Sequence, residues 1–135
     1  MTSSGSPLGA LHHVGIAVPA LDAPRDAIVR LLGGEVIDGG EDATLALAWT
    51  WIASESNPII ELLAPLTDGS VIARDLRRRG PGLHHLSWHP DSIAEAHDHV
   101  RRCCLPTIGE DQVVPGFEQL YIDPAVTGGA LFHAF

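Results

Sequence analysis

Three imidazoles and one carboxylate recur in this chain at a single interval. Leu11-His12-His13-Val14 is echoed 72 residues later by Leu83-His84-His85-Leu86. Glu61, within Ile59-Ile60-Glu61-Leu62-Leu63, stands the same distance from His133, within Leu131-Phe132-His133-Ala134-Phe135. The interval marks an internal duplication that divides four candidate metal ligands, His13, Glu61, His85 and His133, into two related pairs. Neutral nitrogen donors with one carboxylate suit Zn, Fe, Co, Ni or Mn better than Ca, which seeks oxygen. A cavity holding these groups without a cation would leave several polar atoms to be satisfied, at about 1–3 kcal/mol for each failure.

To meet at one ion, the pairs must sit on strands that line a cavity. Residues 11–18 read as such a strand, with Val14, Ile16 and Val18 on one face and His13, Gly15 and Ala17 on the other. The second face sets an imidazole beside two residues too small to fill space. Asp22 as N-cap, Pro24 in the first turn and an apolar stripe of Ala27, Ile28, Leu31 and Leu32 predict a helix ended by Gly33-Gly34. Strands over 35–38 and 43–53, turned at Gly39-Gly40, and over 59–64 complete the pattern. A short helix over 71–79 joins the halves. Its Arg77-Arg78-Arg79 run either favours the helix C-terminus or offers a phosphate-binding edge.

The second half repeats the first. Residues 83–89 form a strand with His85, Ser87 and His89 on one face and His84, Leu86 and Trp88 on the other. Ser92-Ile93-Ala94-Glu95 is a capping box, opening a helix with the stripe Ile93, Ala96, Val100 and Cys104 that Pro106 stops. Strands around Ile108, over 117–122 and over 130–135 follow, separated by Pro115-Gly116 and Thr127-Gly128-Gly129.

The expected fold is α+β: two tandem βαβββ modules, 9–66 and 82–135, forming a curved mixed sheet around a metal-binding cavity. Residues 67–81 link them, and 1–8 form a disordered tail. The second histidine of each doublet is the expected ligand because it shares a face with Gly15 and Ala17, or with Ser87. His12 and His84 then pack towards the helix side, His97 and His99 lie on the outer helix face, and His89 stands at the pocket rim. Trp49, Trp51, Phe117 and Tyr121 are candidates for the cavity wall.

Composition narrows the functions. A 135-residue chain, 45% hydrophobic and 19% charged, has material for one domain with a full core. A net charge of −9 argues against nucleic acid and anionic membrane as partners, which need a clustered positive footprint. A small-molecule substrate fits better. Cys103 and Cys104 are adjacent and unsuited to a structural disulfide, so reduced thiols in a cytoplasmic setting are expected, at least one of them packed in the core. No apolar run approaches the roughly 20 residues of a spanning helix, and the N-terminus lacks the form of a signal peptide.

Leu11-His12-His13-Val14-Gly15-Ile16-Ala17-Val18, Ile60-Glu61-Leu62-Leu63-Ala64-Pro65-Leu66, Gly82-Leu83-His84-His85-Leu86-Ser87-Trp88 and Thr127-Gly128-Gly129-Ala130-Leu131 stand in an order and spacing that resemble the vicinal oxygen chelate superfamily. That superfamily includes glyoxalase I, extradiol dioxygenases, resistance proteins and methylmalonyl-CoA epimerase, and the resemblance is strongest to the epimerase-like members. It implies paired modules around a divalent metal, often in homodimers, with ligand positions at His13, Glu61, His85 and His133. It also implies chelation of two oxygens of a small carbonyl substrate, such as an acyl-CoA, and stabilisation of an enolate-like anion.

Two positions depart from the epimerase pattern. His133 stands where a glutamate is usual, and Ala46 falls where the third strand usually carries a glutamate base. Glu61 or His133 is then the expected base, where either leaves the metal or is not a ligand. An Fe(II) dioxygenase and a metal-free binding or resistance protein are the competing readings.

Overall fold

In the computed structural model, which describes residues 5–109 and 118–135, the chain forms two compact units. One comprises His13–His84, the other Met1–His12 with His85–Phe135. Eight strands and three α-helices are found among the described residues, each unit following the expected strand, helix, three-strand pattern.

In the first unit, strand β1 (Ala10–Ala17, whose first three residues belong to the other unit) leads through helix α1 (Asp22–Leu32) to β2 (Glu35–Asp42), β3 (Leu47–Ala53) and β4 (Ile59–Pro65), with helix α2 (Val71–Arg79) after them. The strands lie in the order β2-β3-β4-β1. β4 runs parallel to β1 and antiparallel to β3, so Gly15, Glu61 and Trp51 come side by side across three strands.

Alternation then assigns the two faces. Val18, Ile52, Leu62 and Ala64, with Ile16 and Ile60, pack against Leu21, Ile28 and Val29 of the α1 region. The opposite face is divided along its length. Ala17, Leu47 and Leu63 are covered by Ile72 of α2, whereas His13, Glu61 and Trp51 occupy the stretch further from that helix.

Several local expectations are corrected. Asp22 is the first helical residue rather than the cap; Leu21 occupies the cap position without a side-chain hydrogen bond. The inner stripe of α1 is Leu21, Ile28 and Val29, and Leu31 is 81% exposed. An i, i+3, i+4 pattern is satisfied by more than one stripe, and the chain direction leaving β1 selects among them. Gly39 and Gly40 lie inside β2, which extends to Asp42, and the hairpin turns at residues 43–46. The Asp42 carboxylate accepts the Leu45 N–H there, and Ala46 closes the turn at φ 52°. β2 is exposed over almost its whole length and has a register irregularity between Val36 and Asp38.

Helix α2, expected as a joint, is part of this unit's core: Ile72 and Ala73 are buried and Ser70 caps the helix by accepting the Ile72 N–H. The Arg77-Arg78-Arg79 run is exposed at its last turn, where the carbonyl dipoles favour positive charge.

The second unit contains β5 (Gly82–His89, whose first residues belong to the other unit), helix α3 (Ile93–Arg102), β6 (Thr107–Ile108), β7 (Leu120–Ile122) and β8 (Leu131–Ala134). Its strand order is β5-β8-β7-β6. Parallel β5 and β8 set Ser87 beside His133, the same register, 72 residues on, as Gly15 beside Glu61. Antiparallel pairing with β7 sets Tyr121 on the other side of His133.

Ala96 and Val100 of α3 pack with Leu120, Ile122 and Ala134, joined by Ile93, Phe132 and Leu8. Ser92 caps α3 by accepting the Glu95 N–H. Residues 1–4 of the expected tail lie outside the described residues, while the Gly9 N–H bonds the Ser6 carbonyl in a turn that brings Leu8 to this core. Pro115-Gly116 and Phe117 also lie outside the described residues.

Cys104 does not extend the α3 stripe. The helix ends at Arg102, Cys104 takes φ 57°, and both cysteines are exposed, against the expectation that one is in the core.

Candidate metal-ligating residues

Each unit presents one pair of the expected ligands on the sheet face away from its strand-flanking helix. In the first, His13 is buried and its Nε2 lies 3.5 Å from Glu61 Oε1. That separation is long for a hydrogen bond. It is close to the ~3.4 Å between donor atoms sharing one tetrahedral ion at bond lengths of about 2.1 Å. Trp51 Nε1–H donates to the other carboxylate oxygen, Glu61 Oε2, at 2.7 Å, and its ring lies 5.6 Å from that of His13. The indole fixes the carboxylate so that Oε1 is the oxygen turned to His13.

In the second unit, the His85 and His133 rings stand 5.8 Å apart, edge to face. His133 is held on several sides. Ser87 Oγ, fully buried, is 2.8 Å from its Nδ1, and Gln119 Oε1 is 2.9 Å from its Nε2. Tyr121 stacks on its ring at 4.6 Å, and Phe135 stacks at 5.8 Å.

The remaining histidines are also placed. His84 Nε2–H donates to Asp75 Oδ2 of α2 at 2.8 Å, the expected helix-side packing role. His12 packs edge-on to Phe135 at 5.0 Å and near His89. His89 is exposed, with Nδ1–H donating to the Phe135 carbonyl at 2.7 Å. His97 is not on the outer face: its Nε2–H reaches the Gln119 carbonyl at 3.3 Å. His99 is half-buried, 3.5 Å from Cys103 Sγ.

Of the aromatic candidates, Trp51 and Tyr121 contact expected ligands, whereas Trp49 packs with the cluster under α2. Ala46 lies in the β2–β3 turn rather than on a strand, and β3 itself carries no acid.

Sequence reasoning did not single out Gln119, and it noted Ser87 only as a small neighbour. The repeat held a signal for Ser87, since it falls 72 residues after Gly15. Gln119 gives no such sign, because it precedes a strand of three residues in the part where the two halves differ in length.

Paired βαβββ units, with imidazole and carboxylate side chains on strands of like register, define a glyoxalase-like α+β fold. Residues 12–118 match the model of the Glyoxalase/Bleomycin resistance protein/Dioxygenase superfamily, and the chain belongs to that family. It is 30% identical to an ethylmalonyl-CoA/methylmalonyl-CoA epimerase of Cereibacter sphaeroides over 92% of this chain and 95% of that protein. It is also 30% identical to the mitochondrial methylmalonyl-CoA epimerase of Bos taurus, over 92% of this chain and 72% of the relative. The crystal structure of methylmalonyl-CoA epimerase from Mycobacterium tuberculosis superposes with a TM-score of 0.83 at 26% identity, covering 99% of this chain and 91% of that one. These relatives are enzymes of the glyoxalase-like superfamily. Among the described residues, no helix is long and apolar enough to cross a membrane.

Proposed function

We propose that the chain is a divalent-metal-dependent epimerase or isomerase acting on a small carbonyl compound of the acyl-CoA class, with His13, Glu61, His85 and His133 holding one ion. The observation that carries this reading is the repeated register: Glu61 beside Gly15 in one unit and His133 beside Ser87 in the other. The donor chemistry fits, since three imidazoles with one carboxylate suit a transition-metal ion and Glu61 sets its carboxylate at ion-sharing distance from His13. Similarity to an ethylmalonyl-CoA/methylmalonyl-CoA epimerase over nearly its whole length supports the thioester class.

A bound ion supplies Lewis-acid stabilisation of negative charge developing on substrate oxygen. The chain's own part is to hold the donors and move the proton. Trp51 keeps one Glu61 oxygen turned to His13, and Glu61 or His133 serves in proton transfer beside the carbonyl where that side chain is released from the ion. A homodimer in a reducing cytoplasmic setting completes the reading; the exposed, unbridged Cys103 and Cys104 support the latter.

The test is deuterium uptake at the α-carbon of methylmalonyl-CoA and ethylmalonyl-CoA in deuterated water, followed by NMR after loading with each candidate metal. Metal-dependent uptake is expected. No uptake with these or other acyl-CoA thioesters sinks the reading. Oxygen consumption with catechols by the iron-loaded protein would turn it to a dioxygenase, and failure to retain any transition metal to a binding protein.

Trp51→Phe removes the donor to Glu61 and keeps an aromatic ring. Calorimetric titration with Zn(II) is expected to show about 10–100-fold weaker binding, with an unchanged circular dichroism spectrum.

A further inference from the structure

The two oxygens around His133 differ in what they can do. A serine hydroxyl both donates and accepts, so Ser87 Oγ serves Nδ1 whether that nitrogen carries a proton or a lone pair. The carbonyl oxygen of Gln119 only accepts. At 2.9 Å from Nε2 it requires the proton on Nε2, which leaves Nδ1 to accept the Ser87 O–H at 2.8 Å. In that tautomer both lone-pair and N–H positions of the ring are engaged by protein, and Nε2 has no lone pair to give to an ion. Tyr121 fixes the arrangement: its O–H donates to the same Gln119 oxygen at 2.6 Å while its ring stacks on the imidazole.

We propose that Gln119, anchored by Tyr121, is a tether that competes with the metal ion for His133. It acts as a positioning residue that sets how readily the ring is surrendered to the ion. The inference rests on the reading of His133 as a ligand position. For His133 to ligate through Nε2, Gln119 Oε1 must leave, the Nε2–H bond breaks and an Nδ1–H bond forms by exchange with water, and Ser87 Oγ changes from donor to acceptor. The ring is neutral before and after, so no charge is left over. Ser87 supports both states, and Gln119 supports only the ion-free one.

The experiment combines Zn(II) titration calorimetry with ¹⁵N spectra of the imidazoles in the full chain. The ion-free wild type is expected to show His133 as the Nε2–H tautomer, and Q119A a mixture of tautomers. Q119A is expected to bind Zn(II) about 2–10-fold more tightly, the scale of one net hydrogen bond. Y121F, which loosens the anchor and keeps the ring, is expected to shift affinity the same way by less. Ser87→Ala is expected to weaken binding by about 10–100-fold, as loss of a group that orients a ligand does.

In an H133A background the Q119A effect on affinity should vanish, which a merely structural role for Gln119 would not predict. Unchanged affinity and tautomer in Q119A, or a Q119A effect that persists without His133, overturns the tether while leaving the metal reading intact. Absence of Zn(II) binding in the wild type overturns both.

Discussion

Replacing Glu61 with alanine is expected to abolish most function in one step. The rate of α-proton exchange should fall by about 10²–10⁴-fold, the scale of losing a positioned acid–base group. Zn(II) affinity should fall by more than the roughly 100-fold that loss of a merely orienting group costs. The side chain earns this expectation by its position: Oε1 is 3.5 Å from His13 Nε2, and Oε2 accepts the Trp51 indole N–H at 2.7 Å. Both oxygens have work, in a part of the sheet face that is largely screened from water, where a lost partner is not replaced.

Glu61→Gln separates the two roles. The amide oxygen can still accept from Trp51 or face an ion but takes up no proton at neutral pH. Zn(II) binding in Glu61→Gln should therefore stand well above that in Glu61→Ala, while exchange stays low. Exchange at the wild-type rate in Glu61→Gln would remove Glu61 from proton transfer.

The second large effect is on stability and falls on a residue that sequence reading placed in a linker. Ile72→Ala is expected to destabilise the protein by about 2–5 kcal/mol, lowering Tm by roughly 6–15 °C in thermal unfolding. Ile72 is 1% exposed and fills the space over Ala17, Leu47 and Leu63, three residues on three different strands. The sheet around it is regular and cannot close over a cavity without moving β1, β3 or β4. The control is Leu31→Ala, expected to change stability by no more than about 0.5 kcal/mol, since Leu31 is 81% exposed. A larger loss at Leu31 than at Ile72 would reverse the assignment of the core.

These two residues mark how far the sequence could be read. The repeat was legible because a 72-residue interval preserves chemistry at four positions at once, and strand alternation then places His13 and Ala17 on one face without further knowledge. That face proved continuous, with the same side of the sheet carrying His13 and Glu61 at one place and the Ile72 contacts at another.

Helix stripes were less legible. In α1, Leu31 and Leu32 match the helical period as well as Ile28 and Val29 do, and the choice depends on the docking angle, which no local pattern encodes. The hairpin turn was misplaced for a related reason. Gly39-Gly40 is a strong turn signal, yet β2 and β3 pair through it because the Asp42 side chain and the left-handed Ala46 build a tighter reversal four residues on. The Gln119 contact with His133 spans 14 residues and arises from strand pairing alone.

The long bare strand β2 bears on how the chain behaves at high concentration. It closes one side of its sheet, and its outer row of N–H and C=O groups is the kind of template on which another extended chain adds itself. Its side chains oppose this: Glu35, Asp38, Glu41 and Asp42 place four carboxylates along eight residues, and the irregularity after Val36 breaks the even spacing that a copied strand needs. Part of the net charge of −9 is therefore concentrated where two copies would otherwise adhere edge to edge. Acid or high salt, which neutralise or screen those carboxylates, are the conditions under which this edge becomes adhesive.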